Sequence, residues 1–455
     1  MLARRARPWH VVVTLTVWAT VACGDAGTEG SRQAVDPAGV REEFAGVGPD
    51  VDTDPGAGQA ARPPKGRWER LPDNRLRAAL PPQVAETIER LEAIGYASGT
   101  QRPDDGYPVG VTRFDEGAAH PGLNLVLSGH APEAVLLDMR GELRHVWRSS
   151  FEAAFPDRVR QANPRTRLWR RVFLAPDGRL LAIYEGKGLV ALDRDSNVLW
   201  GFPGGAHHDV DVAPDGRIHV LTRVAHIKPS YDPVSPIVED FVTILDPDGR
   251  ELRSLSLVDV LLASEHAQLL GTTRGETEDL LHTNTIEWLD GRHAARHPAF
   301  ARGNVLVSMR SIDLLAVIDL EDGSMPWSML GSWRRQHQPV LLDSGNLLLF
   351  DNGLPEAQRS AVLELDPLSG EELWAYRSAE PGDFFSKTCG SSERLPNGNT
   401  LITETDYGRA FEVTRDGEIV WEFHNPHRAG EQGEFIASLF EVIRIEEDSV
   451  RDWLD

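Results

Sequence analysis

From Gly106 onward, short apolar runs alternate with turn residues, and one unit keeps returning along the chain. It reads as a strand, a "PDG"-like turn, a second strand, a loop, an apolar strand ending in Asp, another glycine turn, and a strand ending in Trp. "VFLAPDGRLLAIYEGKGLVALDRDSNVLW" shows it whole. "PVLLDSGNLLLFDNG" with "AVLELDPLSGEELW" repeats it, as does "ERLPNGNTLITETDYGRAFEVTRDGEIVW". Two longer units hold "HHDVDVAPDGRIHVLTR" with "FVTILDPDGREL", and "HTNTIEWLDG" with "GNVLVSMR" and "LAVIDLEDGSMPW". Four strands per unit with turn signals between them predict propeller blades. The first unit supplies only "LNLVLSG", "AVLLDMRG" and "LRHVW", while an orphan strand, "LFEVIRI", ends the pattern at residues 439–445. Pairing that strand with the incomplete blade closes the ring and removes two open edges. The prediction is an all-β, six-bladed β-propeller with a C-terminal strand closing the first blade.

Trp147, Trp200, Trp327, Trp374 and Trp421 recur on the last strand of a blade, which predicts packing between blades rather than cofactor stacking. Residues 256–281 break the pattern with a helix-like run, either a lid or a packed excursion.

Ahead of the propeller, residues 1–23 carry Arg4, Arg5 and Arg7, an apolar run, and small residues before Cys23, the layout of an export signal. "TVAC" resembles a bacterial lipobox, so Cys23 is expected to be lipidated; a cleaved soluble signal and an uncleaved anchor are the alternatives. The chain is then a membrane-anchored lipoprotein of the cell envelope, facing periplasm or exterior, touching membrane through that lipid alone. Gly24 in place of the inner-membrane retention Asp favours outer-membrane attachment. Residues 24–80 are poor in large apolar side chains and read as a disordered linker. Residues 81–105 hold a helical segment with Val84, Ile88 and Leu91 near one face, a cap on the propeller or a partner helix. The propeller takes 106–455.

Composition narrows the partners. The net charge is −23, which repels phosphate backbones and excludes nucleic acid as a natural partner. Two cysteines, Cys23 and Cys389, allow neither a disulfide framework nor a thiolate metal cluster.

The chemistry is expected where the first strand of each blade begins, because those ends converge on the axis. Three successive units start with histidine: His207 and His208, then His282, then His337. Counted back from the turn glycine, His207 and His282 stand nine residues away, His208 and His337 eight. Strand alternation turns Asn284 the same way as His282, with Thr283 between them, and Arg310 closes the neighbouring strand. Three imidazoles suit a transition metal. Arg310 opposes a cation, so an oxyanion site with one imidazole as nucleophile is favoured.

At these residues the sequence resembles the bacterial arylsulfotransferase family, whose members use an aryl sulfate donor. "HHDVDVAPDG", "HTNTIEWLDG", "GNVLVSMRSIDLLAVIDLEDGSMPW", "QHQPVLLDSGNLLLFDNG" and "RLPNGNTLITET" carry the resemblance. It implies a six-bladed propeller, small-molecule aryl sulfates and phenols as partners, and no cofactor. His337 matches the transiently sulfated histidine, His282 and Asn284 a His-x-Asn pair, Arg310 the sulfuryl-binding arginine, and His207 or His208 the histidine of the preceding blade. Ser386, Thr388 and Ser391 compete for a hydroxyl contribution ahead of blade six. Two other classes compete: a non-catalytic envelope propeller that binds a ligand or protein, and a quinone-cofactor dehydrogenase, which lacks a calcium-binding carboxylate cluster here. Oligomeric state is not legible.

Overall fold

The computed structural model describes residues 68–69, 71, 80–92, 98–104, 106–161, 168–272 and 279–454. The expected signal, Cys23 and most of the linker lie outside them. Six antiparallel sheets form a β-propeller, and consecutive first strands touch one another around the axis. Blade one runs outward as Leu439–Ile445, Leu123–Ser128, Glu133–Leu137 and Leu143–Arg148, so the last strand of the ring pairs into the first blade with Val442 opposite Val126. Blades two to six begin at the axis with Trp169–Leu174, Ala206–Val212, Thr283–Trp288, His337–Leu341 and Ser391–Arg394.

Two outer strands were not legible in the repeat. Gly110–Phe114 adds to the outer edge of blade six. Trp68–Glu69, inside the stretch expected to be linker, pairs with Leu255 and Ser254 on the outer edge of blade three. The helix Pro82–Glu92 docks Ile88 and Leu91 on Ala225 and Val238 of blade three, the capping arrangement.

Seams between blades are pegged by tryptophan. The indole N–H of Trp147 donates to the Gly178 carbonyl of blade two, and that of Trp200 to Pro247 of blade three. Trp327 reaches Pro367 of blade five, Trp374 reaches Arg415 of blade six, and Trp421 reaches Met139 of blade one. Each peg buries apolar ring and satisfies its one donor. Among the described residues the seam between blades three and four has no such peg. There the helix Leu257–Leu262, opened by Ser256 accepting from the Asp259 N–H, buries Leu257, Val258, Val260 and Leu261 among Leu255, Ile286 and Val307. The helix of the 256–281 insertion is therefore a packed wedge.

Candidate functional site

Inner strands have one edge with no fifth strand to pair it. Acceptor side chains of the preceding blade cover that edge: Glu185 Oε2 takes the His208 N–H at 3.0 Å, Asp240 Oδ2 the Thr283 N–H at 2.6 Å, and Thr285 Oγ1 the Gln338 N–H at 3.0 Å. These contacts hold the beginnings of blades three, four and five at fixed heights. The ladder is bulged there, with register shifts between Ala206 and Val210, Thr283 and Thr285, and His337 and Val340. His208, His282, Gln338 and Cys389 have positive φ, a conformation non-glycine residues adopt at a cost and one that clusters at functional sites.

The histidines meet at this upper end of the channel. The rings of His208 and His282 stand edge to face with centroids 4.8 Å apart. His207 Nδ1 and His208 Nδ1 share a hydrogen bond of 2.7 Å, while His207 Nε2 lies 3.6 Å from Asp240 Oδ1. His208 thus stands against His282, with His207 linking it to Asp240. His282 Nδ1 bonds Asp279 Oδ2 at 2.6 Å. His337 Nδ1 bonds Asn352 Oδ1 at 2.7 Å, and its Nε2 is buried without a hydrogen-bond partner. Asn284 donates to the Gln336 carbonyl at 2.7 Å, next to His337 in sequence. Arg310 starts a short turn after Val305–Met309, its N–H directed at the His282 carbonyl at 3.4 Å. No ion pair of Arg310 is found among the described residues.

Burial, then the charges around each ring, set protonation. His337 is held well below the ordinary imidazole range by burial, with Arg310, Arg170 and His282 adding to it against the Asn352 hydrogen bond. His208 is held down by burial, His282 and His207, and His207 by burial and Arg223. Burial would raise Asp279, but His282, Arg223 and His207 outweigh it and keep the carboxyl low. Asp240, buried beside Asp279, is pushed the other way, to about 8. His207, His208 and His337 are therefore neutral imidazoles beside cationic guanidinium groups.

The three candidate hydroxyls have separate places. Ser386 is fully buried and donates to the Thr388 carbonyl at 2.8 Å. Thr388 donates its hydroxyl to Asp406 Oδ1 at 3.0 Å, and Ser391 lines the lower channel. Thr283 is fully buried, its hydroxyl without a hydrogen-bond partner. Sequence reasoning missed Asn352, Asp279, Asp240, Glu185 and Arg223, the groups that hold or polarise the imidazoles.

A cavity of about 1040 Å³ lies lower, lined by residues further along the same strands, including Asp211, Glu287, Val340 and Glu393. Four of its lining residues form a polar bridge: Arg171 donates to Asp209 at 2.7 Å and to Glu441, and Gln338 Nε2 donates to Glu441 at 3.1 Å. None of the clustered histidines lines that cavity.

These features define a class: a propeller with a polar site at one end of its axis. The chain belongs to the arylsulfotransferase family, whose profile, Arylsulfotransferase (ASST), matches residues 172–426. Membership makes it a sulfotransferase-like propeller. Among curated proteins none matches. A solved protein of unknown function from Bacteroides caccae is 15% identical with a TM-score of 0.47, covering 72% of this chain and 99% of that one. A streptogramin B lyase is 11% identical with a TM-score of 0.41, covering 77% and 97%. Virginiamycin B lyase from Staphylococcus aureus is 10% identical with a TM-score of 0.32, covering 57% and 70%. Nothing in the site rests on these distant likenesses. No helix among the described residues is long and apolar enough to cross a membrane.

Proposed function

We propose that the protein is an aryl sulfate sulfotransferase that moves a sulfuryl group from a phenolic sulfate ester to a phenol through a sulfated His337. The observation that carries this reading is His337 Nε2, a neutral, buried nitrogen with no hydrogen-bond partner, in the field of Arg310. Its lone pair forms the N–S bond as the S–O bond to the aryl group breaks and the electron pair leaves with the phenolate. His282, backed by Asp279, gives the phenolate a proton and takes one from the incoming phenol, which forms the new S–O bond as N–S breaks. Arg310, Asn284 and His208 supply charge and donors to the sulfuryl oxygens. Sulfuryl transfer, like phosphoryl transfer, needs little covalent help beyond the nucleophile, so positioning and charge supply most of the acceleration. In this reading Cys23 carries lipid and tethers the propeller to the envelope.

The test is phenolate release from a chromogenic aryl sulfate, with and without added phenol. Acceptor-dependent release that disappears in His337→Ala, with the melting temperature kept, supports the reading. Silence across a varied donor set favours a propeller that binds without turnover.

A further inference from the structure

The partner of His337 is placed with more constraint than a single hydrogen bond needs. Asn352 is fully buried at the end of the strand Leu347–Asp351. Its Nδ2 donates to two backbone carbonyls, Ser386 at 2.8 Å and Cys389 at 2.6 Å. Carbonyls only accept, so the amide nitrogen must face them and Oδ1 must face His337. Cys389 has a φ of 57°, a costly conformation that helps direct its carbonyl to the amide. Ser360 completes the frame: its hydroxyl donates to the Asn352 carbonyl at 3.0 Å and accepts the Ser386 N–H at 3.0 Å.

An amide oxygen accepts and does not donate, so the atom it bonds, Nδ1 of His337, must carry the ring proton. The lone pair is then confined to Nε2, the nitrogen left without a partner. Neither a serine nor a water at the place of Asn352 would force this choice, since each both donates and accepts.

We infer that Asn352 is a positioning residue that locks His337 in the Nδ1–H tautomer, and that the loop Phe384–Gly390 acts on the reaction through the Ser386 and Cys389 carbonyls that orient this amide. The inference rests on His337 as the sulfuryl carrier. It accounts for the loop: the Ser386 and Thr388 hydroxyls are engaged with the Thr388 carbonyl and Asp406, and the carbonyls reach the nucleophile's partner. It also explains an amide in place of a carboxylate. When Nε2 bonds sulfur, the ring becomes cationic, and the amide oxygen keeps the hydrogen bond without taking the proton. The ring therefore stays a good leaving group, and when N–S breaks the electron pair returns to Nε2 and the imidazole is neutral again. A carboxylate at this place would draw the proton away and would face two carbonyl oxygens.

The first experiment reads the tautomer in the unmodified protein. With ¹⁵N-labelled histidine, and His337→Gln to assign the signal, the His337 ring is expected to show a protonated Nδ1 and an unprotonated Nε2. The reverse pattern, or an even mixture, overturns the lock. The second experiment is Asn352→Leu, close to the same shape, with the same spectrum and the rate measured together. The expected result is a mixed tautomer and a loss on the order of 10²-fold in kcat. An Asn352→Leu variant with wild-type rate and tautomer, while His337→Ala is inactive, overturns the positioning role and leaves the sulfuryl-transfer reading standing. An active His337→Ala overturns that reading instead.

Discussion

The two ends of the channel are built from the same six inner strands; carboxylates accept backbone N–H groups at both, while the imidazoles gather at one. At the lower end, buried carboxylates have structural work: Asp211 takes the Trp288 N–H at 2.7 Å, Glu287 the Leu341 N–H at 2.8 Å, and Glu393 the Arg444 N–H at 3.0 Å. Burial raises Glu287 to about 8 and Glu393 to about 7. Such acceptors close the inner edge that an open sheet would leave bare. At the upper end carboxylates and amides also lie behind imidazoles, Asp279 behind His282 and Asn352 behind His337, whose Nε2 is buried with no hydrogen-bond partner. A buried unpartnered group costs stability, and at the upper end that group is a histidine ring nitrogen. The cavity of about 1040 Å³ lies toward the other end, and its lining contains no histidine.

Substitutions at the two ends should separate cleanly. The largest effect is expected for His337→Ala, with acceptor-dependent turnover reduced to background and little change in melting temperature. Next is Arg310→Ala, expected to raise the barrier by about 2.7 to 4 kcal/mol, as loss of one transition-state donor does. Because Arg310 is the leading charge holding His337 neutral, the acid limb of the pH profile should also move to higher pH. At the lower end Glu287→Ala should leave kcat unchanged. It removes the acceptor of a buried N–H and is expected to cost about 1 to 3 kcal/mol in denaturant unfolding. A rate loss there, or an unfolding loss of that size in Arg310→Ala with no rate change, would erase the distinction between the ends.

The smallest effect is on acid stability. His207, His208 and His337 are held neutral in the folded chain, below their unfolded pKa of roughly 6.5. Between the two pKa values the unfolded chain binds more protons. Their contribution is thus complete above the unfolded pKa and declines as pH falls through it. Unfolding followed from pH 8 to 5 should show a gradual decline that is reduced in His337→Gln.

Much of the architecture was legible because it repeats. Apolar alternation, turn glycines and the recurring Trp residues mark blades, and the orphan strand at 439–445 has one place to go. The histidines were legible as a set for the same reason. Their register was not, because the inner strands of blades three, four and five each carry a bulge beside the histidines, and the bulges are of different extent. Equal counts from the glycine therefore do not mark equivalent positions. Asn352 was hidden by its context: "DNG" after a strand reads as a turn signal, and its bonds reach residues 34 and 37 positions away. Asp279 sits at the end of an insertion with no counterpart in the other units. Gly110–Phe114 and Trp68–Glu69 add to outer edges after the repeat has been satisfied, so the repeat pattern carries no trace of them.

The central claim is that His337 carries the sulfuryl group. It is tested most directly by exposing the protein to an aryl sulfate without acceptor, quenching, digesting under mildly basic conditions, and locating the added sulfuryl mass by peptide sequencing. The account predicts the label on His337, its loss on adding phenol, and its absence from His337→Ala. A label on His208 or His282, or release of phenolate in steady turnover from His337→Ala, would contradict it.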